Sequence, residues 1–125
     1  MITFDDFKAS GGMPIYLQIL FYVKRGIVAG TITDGEELPS RRVLSARLGI
    51  NPNTVQKAFK SLEDEGLIQS RSGAKSYISV TQEGIKRLRE ELLMEDVKNI
   101  TDALKQMGIT KDEAIALIAK YWEED

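Results

Sequence analysis

A chain of 125 residues with 42% hydrophobic content holds one core and at most a small appendage, since domains commonly run to about 100–150 residues. It contains no cysteine and no histidine, which excludes disulfides, thiolate metal sites and the commonest general base, and is compatible with a reducing cytosol. The net charge of −2 is unevenly spread: residues 1–80 carry 10 Lys/Arg against 8 Asp/Glu, residues 81–125 carry 7 against 11, and the stretch 40–80 carries 7 against 3. A locally basic segment can meet phosphate on an acidic chain, because the field near a surface is set by nearby charge. The longest apolar run, Ile15 to Val23, is broken by Gln18 and falls short of the roughly 20 residues that span a bilayer. Asp5 and Asp6 come too early for a secretory leader, so a cytoplasmic protein with no membrane partner is expected.

Residues 1–12 end in Ser10-Gly11-Gly12 and are expected to be a flexible lead. Pro14 suits the first turn of a helix, and Ile15, Ile19, Val23 and Ile27 fall four apart as its buried stripe, with Gly30 as the stop. Thr31 to Leu38 reads as a connector with an Asp34-Gly35 turn. Pro39-Ser40 opens a second helix with Val43, Leu44 and Leu48 as its apolar face, and Gly49 ends it. Asn51-Pro52 restarts the chain as N-cap and N1 of a third helix, which buries Val55, Ala58, Phe59 and Leu62 and closes at Gly66.

Leu67 to Arg71 and Lys75 to Val80 are strand-like and predict a β-hairpin around Ser72-Gly73-Ala74. Thr81 caps a fourth helix with Ile85, Leu88, Leu92, Val97, Ile100 and Leu104 at helical spacing. Thr110 and Glu113 form a capping box for the last helix, which carries Ala114, Ile115, Leu117, Ile118, Tyr121 and Trp122. The expected fold is mainly α with a small β-hairpin: a winged helix-turn-helix over 13–80 and a two-helix dimerisation segment over 81–125.

Two helices joined by a turn of a few residues and followed by a hairpin form an arrangement whose second helix can enter the major groove, about 12 Å wide. The solvent side of that helix carries Asn53, Thr54, Gln56, Lys57 and Lys60, groups able to bond adenine, guanine or phosphate. A polar helix face is usually only solvated. Here Arg41-Arg42 before it, and Arg71 and Lys75 after it, add charge around the motif, which favours a binding face. Arg25 and Arg47 are read as solvated, and Tyr16 as a packing residue with its hydroxyl bonded locally, a DNA-phosphate contact being the alternative.

These residues also carry a resemblance. Pro14-Ile15-Tyr16 with Gln18-Ile19, Leu38-Pro39-Ser40 with Arg42 and Leu44, the run Leu48-Gly49-Ile50-Asn51-Pro52-Asn53-Thr54-Val55-Gln56-Lys57-Ala58-Phe59, Leu62-Glu63 and Glu65-Gly66-Leu67-Ile68 resemble the DNA-binding domain of GntR-type regulators over about residues 13–80. The Asn51-Pro52-Asn53-Thr54-Val55 run and the short tail are similar to the YtrA subfamily. The resemblance implies that Arg42 enters the groove, that Asn51, Asn53 and Thr54 contact bases and phosphates, and that Ser72 and Gly73 form the wing tip along the minor groove. Pro52 and Gln56 stand where other branches often carry arginine, so the base preference of those branches does not transfer. Lys75 replaces the family's usual second wing glycine. The candidate DNA-binding residues are therefore Ser40, Arg41, Arg42, Asn51, Pro52, Asn53, Thr54, Gln56, Lys57, Arg71, Ser72, Gly73 and Lys75.

A segment of about 40 residues is too small to fold alone, so its apolar residues must pack on the winged domain or on a second copy. The length of the stripe favours a homodimer, with Leu88, Leu92, Ile100, Leu104, Ile115, Ile118 and Trp122 as the candidate interface. The expected function is a dimeric repressor on a pseudo-palindromic double-stranded operator, with transporter genes as the target that the subfamily resemblance implies. The alternative is a winged-helix protein-interaction module without DNA recognition. An enzyme is not expected: Asp5-Asp6 and Glu90-Glu91 are sequence neighbours that point apart, and no phosphate loop, hydrolase elbow or metal signature is present. No cofactor or metal is expected, and a small-molecule effector leaves no trace in the sequence.

Overall fold

The computed structural model describes residues 1–71 and 75–124. The chain runs α1 (Ile15–Ala29), β1 (Glu37–Leu38), α2 (Arg41–Leu48), α3 (Pro52–Asp64), β2 (Ile68–Ser70), β3 (Ser76–Ile78), α4 (Gln82–Gln106) and α5 (Lys111–Glu123). It divides into two compact units, Met1–Arg89 and Glu90–Asp125.

In the first unit, Pro14 stands just outside α1 as its N-cap, and its carbonyl accepts from the Leu17 and Gln18 N–H groups at 3.1 and 3.2 Å. The four-residue period buries Ile19, Val23 and Ile27 together with Leu20, while Ile15 is half-buried. Each such side chain stabilises the fold by about 1.5–3 kcal/mol relative to exposure. Gly26 permits a close approach at the far end of α1. A Cβ there would lie 2.5 Å from Ile32 Cδ1, and the Ile32 N–H donates to the Gly26 carbonyl at 3.0 Å.

The hairpin β2–β3 forms in the register Ile68↔Ile78, Gln69↔Tyr77 and Ser70↔Ser76. The sheet has a third strand that the sequence pattern does not show. β1 pairs antiparallel with β3, giving the order β1-β3-β2. Two residues are too few to display a period, so Glu37-Leu38 reads as connector until β3 supplies its partner. Asp34 fixes this connector by accepting from the Val80 N–H at 2.8 Å.

The lead 1–12, expected to be flexible, is packed. Ile2 and Phe4 are buried, and the Ile2 N–H donates to the Glu37 carbonyl at 2.9 Å. The Phe4 ring stacks on Tyr22 with centroids 4.9 Å apart, and Phe7 stands edge-on to Tyr22 at 5.5 Å. The Tyr22 hydroxyl donates to Asp6. The Ser-Gly-Gly ending signalled flexibility, but aromatics at 4 and 7 find a ring on α1 that local composition cannot reveal.

Val43, expected on the inner face of α2, is 45% exposed. The helix instead buries Leu44 and Ser45, with Arg41 and Leu48 half-buried. Positions 41, 44, 45 and 48 form the helical stripe, and 43 falls beside it.

α4 is one continuous helix of 25 residues that begins in the first unit and ends in the second. Thr81 opens it by accepting from the Gly84 N–H at 3.0 Å, and Thr110 opens α5 by accepting from the Glu113 N–H at 3.2 Å. Asp112 and Glu113 in the first turn of α5 and Lys120 in its last suit the helix dipole. Yet α5 buries none of its residues. No described helix is long and apolar enough to cross a membrane.

The Tyr22 phenol is pushed up to about 12, first by burial and then by its hydrogen bond to Asp6. The folded state thus favours the neutral phenol. That contribution is complete below the unfolded pKa near 10 and is lost as pH rises from there through about 12. Urea unfolding at about pH 9 and about pH 11.5 is expected to show a larger loss of stability for the wild type than for Tyr22→Phe. Equal losses would contradict the assignment.

Candidate nucleic-acid interface

The α2–α3 pair is made by caps. Ser40 Oγ accepts from the Val43 N–H at 3.1 Å and starts α2. Gly49, at φ 67, takes the left-handed turn that ends it, with no Cβ to strain. The Ile50 N–H donates back to the Ser45 carbonyl at 3.0 Å. Asn51 Oδ1 then accepts from the Asn53 N–H at 2.8 Å, Pro52 fills the first helical position, and α3 begins. Each helix has an N-cap side chain, so the turn between them is short and defined.

α3 buries Val55, Ala58, Phe59 and Leu62 against α1 and α2. The opposite stripe is thereby forced outward: Asn53, Gln56, Lys57 and Lys60 are exposed, and Thr54 is half-buried. Lys60 lies 3.6 Å from Asp64 in an exposed i, i+4 pair, an arrangement that leaves it accessible. Lys57 reaches across to α1, with its ammonium 4.1 Å from the centroid of the Tyr16 ring.

A groove of about 490 Å³ opens where the two helix starts meet, lined by Pro14, Ile15, Tyr16, Asn51, Asn53, Thr54 and Lys57. It therefore collects four of the residues singled out from the sequence. Gln56 and Pro52 are exposed on the same helix but do not line it. In the sequence Pro14 and Ile15 read as the start and the buried stripe of a helix and Tyr16 chiefly as a packing residue; their place in the groove comes from the fold. Nothing in a one-dimensional pattern brings the start of α1 to the start of α3.

The adjacent arginines that open α2, Arg41 and Arg42, part company. Arg42 is exposed. Arg41 is half-buried, with its guanidinium 5.6 Å over the Phe59 ring and its Nε buried without a hydrogen-bond partner. On the hairpin, the Arg71 guanidinium sits 4.5 Å over the Tyr77 ring, and the Arg71 N–H donates to the Lys75 carbonyl at 2.9 Å. Both residues are exposed. Ser72 and Gly73, the wing tip in the sequence reading, lie outside the described residues. Among the described residues no cluster of His, Cys, Asp or Glu could hold a metal ion.

The family model for bacterial regulatory proteins of the gntR family matches residues 15–78, from the first residue of α1 to the last of β3. The chain belongs to the GntR family. It is accordingly a DNA-binding transcriptional regulator with a winged helix-turn-helix, and not an enzyme. Among its relatives is the HTH-type transcriptional regulator YhcF of Bacillus subtilis, 29% identical over 118 residues, covering 94% of this chain and 98% of that protein. The HTH-type transcriptional repressor YtrA of the same organism is 38% identical over 96 residues, covering 77% of this chain and 69% of YtrA. A solved GntR-family regulator from Listeria monocytogenes superposes with a TM-score of 0.77 at 31% identity, covering 90% of this chain and 98% of that one. These matches extend beyond the winged unit, so this GntR protein resembles YtrA-like regulators along most of its length.

Asn51 is expected to act as a cap as well as a candidate contact. Asn51→Ala should lower stability by about 1 kcal/mol, whereas Asn51→Asp should retain the cap. Thermal unfolding of the two variants distinguishes them, and identical midpoints would remove Asn51 from the capping role.

Proposed function

We propose that this GntR regulator acts as a homodimeric repressor whose paired α2–α3 units read a pseudo-palindromic operator. The observation that carries the dimer is α5, a 13-residue helix with no buried residue. Ile115, Ile118, Tyr121 and Trp122 stand exposed on it, Trp122 by 81%, and Leu93, Met94, Val97 and Ile100 are exposed on α4. So many large apolar side chains left in water on a small protein mark an interaction face. A second copy is the occupant favoured by the short chain, because one winged unit reads few base pairs and a two-fold pair reads two half-sites. The expected spacing is about one helical turn, 10–10.5 base pairs, or a multiple.

The candidate interface is narrower than the sequence suggested. Leu88 and Leu92 are already buried in the single chain and have little area left to offer a partner. Leu104 is half-buried. The face is therefore assigned to Ile100, Ile115, Ile118 and Trp122, joined by Met94 and Tyr121. Repression is supported by the name of the YtrA relative and by simple occlusion of a promoter under a bound dimer. A protein-interaction module without DNA recognition finds no support in the exposed amide and lysine stripe of α3.

At the operator, Arg42, Asn53, Thr54, Gln56 and Lys57 are the proposed contacts, with Arg71 and Lys75 on the flanking phosphates. Arg41 is demoted to a packing cation by its place over Phe59. Selection of bound duplexes from a random pool should return a two-fold symmetric sequence, and a uniform pool would sink the reading. Arg42→Ala is expected to weaken binding to that sequence by about 1–3 kcal/mol in a gel-shift titration. Gln56→Ala should lose base preference more than affinity for random duplex. Ile118→Asp should yield a folded monomer with reduced operator affinity, since a carboxylate opposes an apolar interface. A mass unchanged from a wild-type dimer in light scattering would remove this face from the interface.

A further inference from the structure

We propose that Arg47 is a positioning residue for DNA binding, holding α2 in place through the N-terminal lead. The inference rests on the reading that the α2–α3 pair docks on duplex DNA. α2 has eight residues and buries two of them, Leu44 and Ser45. So short a helix has little stability or fixed direction of its own. Leu44 seats it on the core, and ties at its two ends complete its orientation. The first end is held by the Ser40 cap and by Arg41 against Phe59. The other end is held by Arg47, whose Nη1 donates to the Thr3 carbonyl at 2.8 Å.

That carbonyl belongs to an anchored segment. Thr3 lies between Ile2 and Phe4, which are 5% and 2% exposed. The Ile2 N–H is bonded to Glu37 of β1, and Phe4 is stacked on Tyr22 of α1. Farther along, Gln18 of α1 accepts from the Ser10 N–H at 2.8 Å and donates to the Ser10 and Met13 carbonyls at 2.8 and 2.7 Å. The lead is thus a strap fastened to α1 and β1, with α2 tied to it by one guanidinium.

Phe4 supports the same view. It is the one described non-glycine residue with positive φ, at 62°, a conformation an aromatic residue rarely adopts. Such strain persists where the surroundings over-determine it, and it is found beside working parts of proteins. Here the strained residue directly follows the carbonyl that Arg47 holds. Arg42 and Arg47 are both exposed, but the Arg47 guanidinium is engaged by the strap carbonyl at the opposite end of the helix from Arg42.

The experiment uses the full chain, the duplex recovered from the random pool, and an unrelated duplex of equal length. Arg47→Ala is expected to lower operator affinity about three- to tenfold at 25 °C, with unchanged circular dichroism. The slope of log K against log salt should match the wild type, because no phosphate contact is lost. Arg47→Lys should restore most of the affinity, since an ammonium can donate to the same carbonyl. The Ile2 amide should exchange faster with solvent in Arg47→Ala. A lower melting temperature with unchanged affinity would overturn the proposal and leave Arg47 a stabilising residue only. A slope flatter by about 0.9 would also overturn it, by making Arg47 a direct phosphate contact. Unchanged protection of the Ile2 amide would overturn the coupling between Arg47 and the lead. Failure of the wild type to bind any duplex would count instead against DNA docking, and the exchange measurement would still decide whether Arg47 holds the lead.

Discussion

The architecture depends on one stripe of α3. Val55, Ala58, Phe59 and Leu62 are fully enclosed, and their burial fixes the rotation of that helix about its own axis. What α3 presents to solvent follows from that rotation, because the amide and lysine side chains occupy the remaining arc. The caps at Ser40 and Asn51 fix where the two helices begin, and Gly49 fixes how sharply the chain turns between them. Rotation, start and turn together place the start of α3 beside the start of α1, where Tyr16 receives Lys57.

Much of this was legible in the sequence because it is local. A cap, a proline at N1, a glycine stop and a 3.6-residue period are all written within a few residues of one another, and α1, α2, α3 and α5 begin and end close to where those signals stand. What escaped was non-local. β1 is two residues long and exists through its bonds to β3. The lead is ordered through a ring on α1 and a carbonyl on β1. Val43 is apolar and follows the cap of a helix, yet misses the buried stripe by one position. Arg41 and Arg42 are chemically identical neighbours, and only the location of Phe59 decides that one turns inward.

The two units obey different physics. The first has a core of aliphatic and aromatic side chains drawn from α1, α3, the sheet and the lead. The second is a pair of helical stretches in which most apolar side chains stay in water. A sequence can show that a segment is amphipathic. It cannot show whether the apolar side is satisfied from within, and Leu88 and Leu92 are the positions where that distinction matters. Their four-residue period on α4 extends to Ile100, but their burial does not.

The outward stripe of α3 has a consequence for how such a regulator diverges. Asn53 and Gln56 are exposed, opposite a core stripe that neither belongs to. Exchanges there leave the hydrophobic interior untouched, so surface substitutions of this kind are nearly neutral for folding. On the proposed docking of α3, recognition can therefore drift while the scaffold stays constant, and duplicated copies of one gene could acquire separate targets by changes at very few codons. Lys57 is the less free member of the set, because its charge leans on the Tyr16 ring, and a change at either position would be felt by both helices.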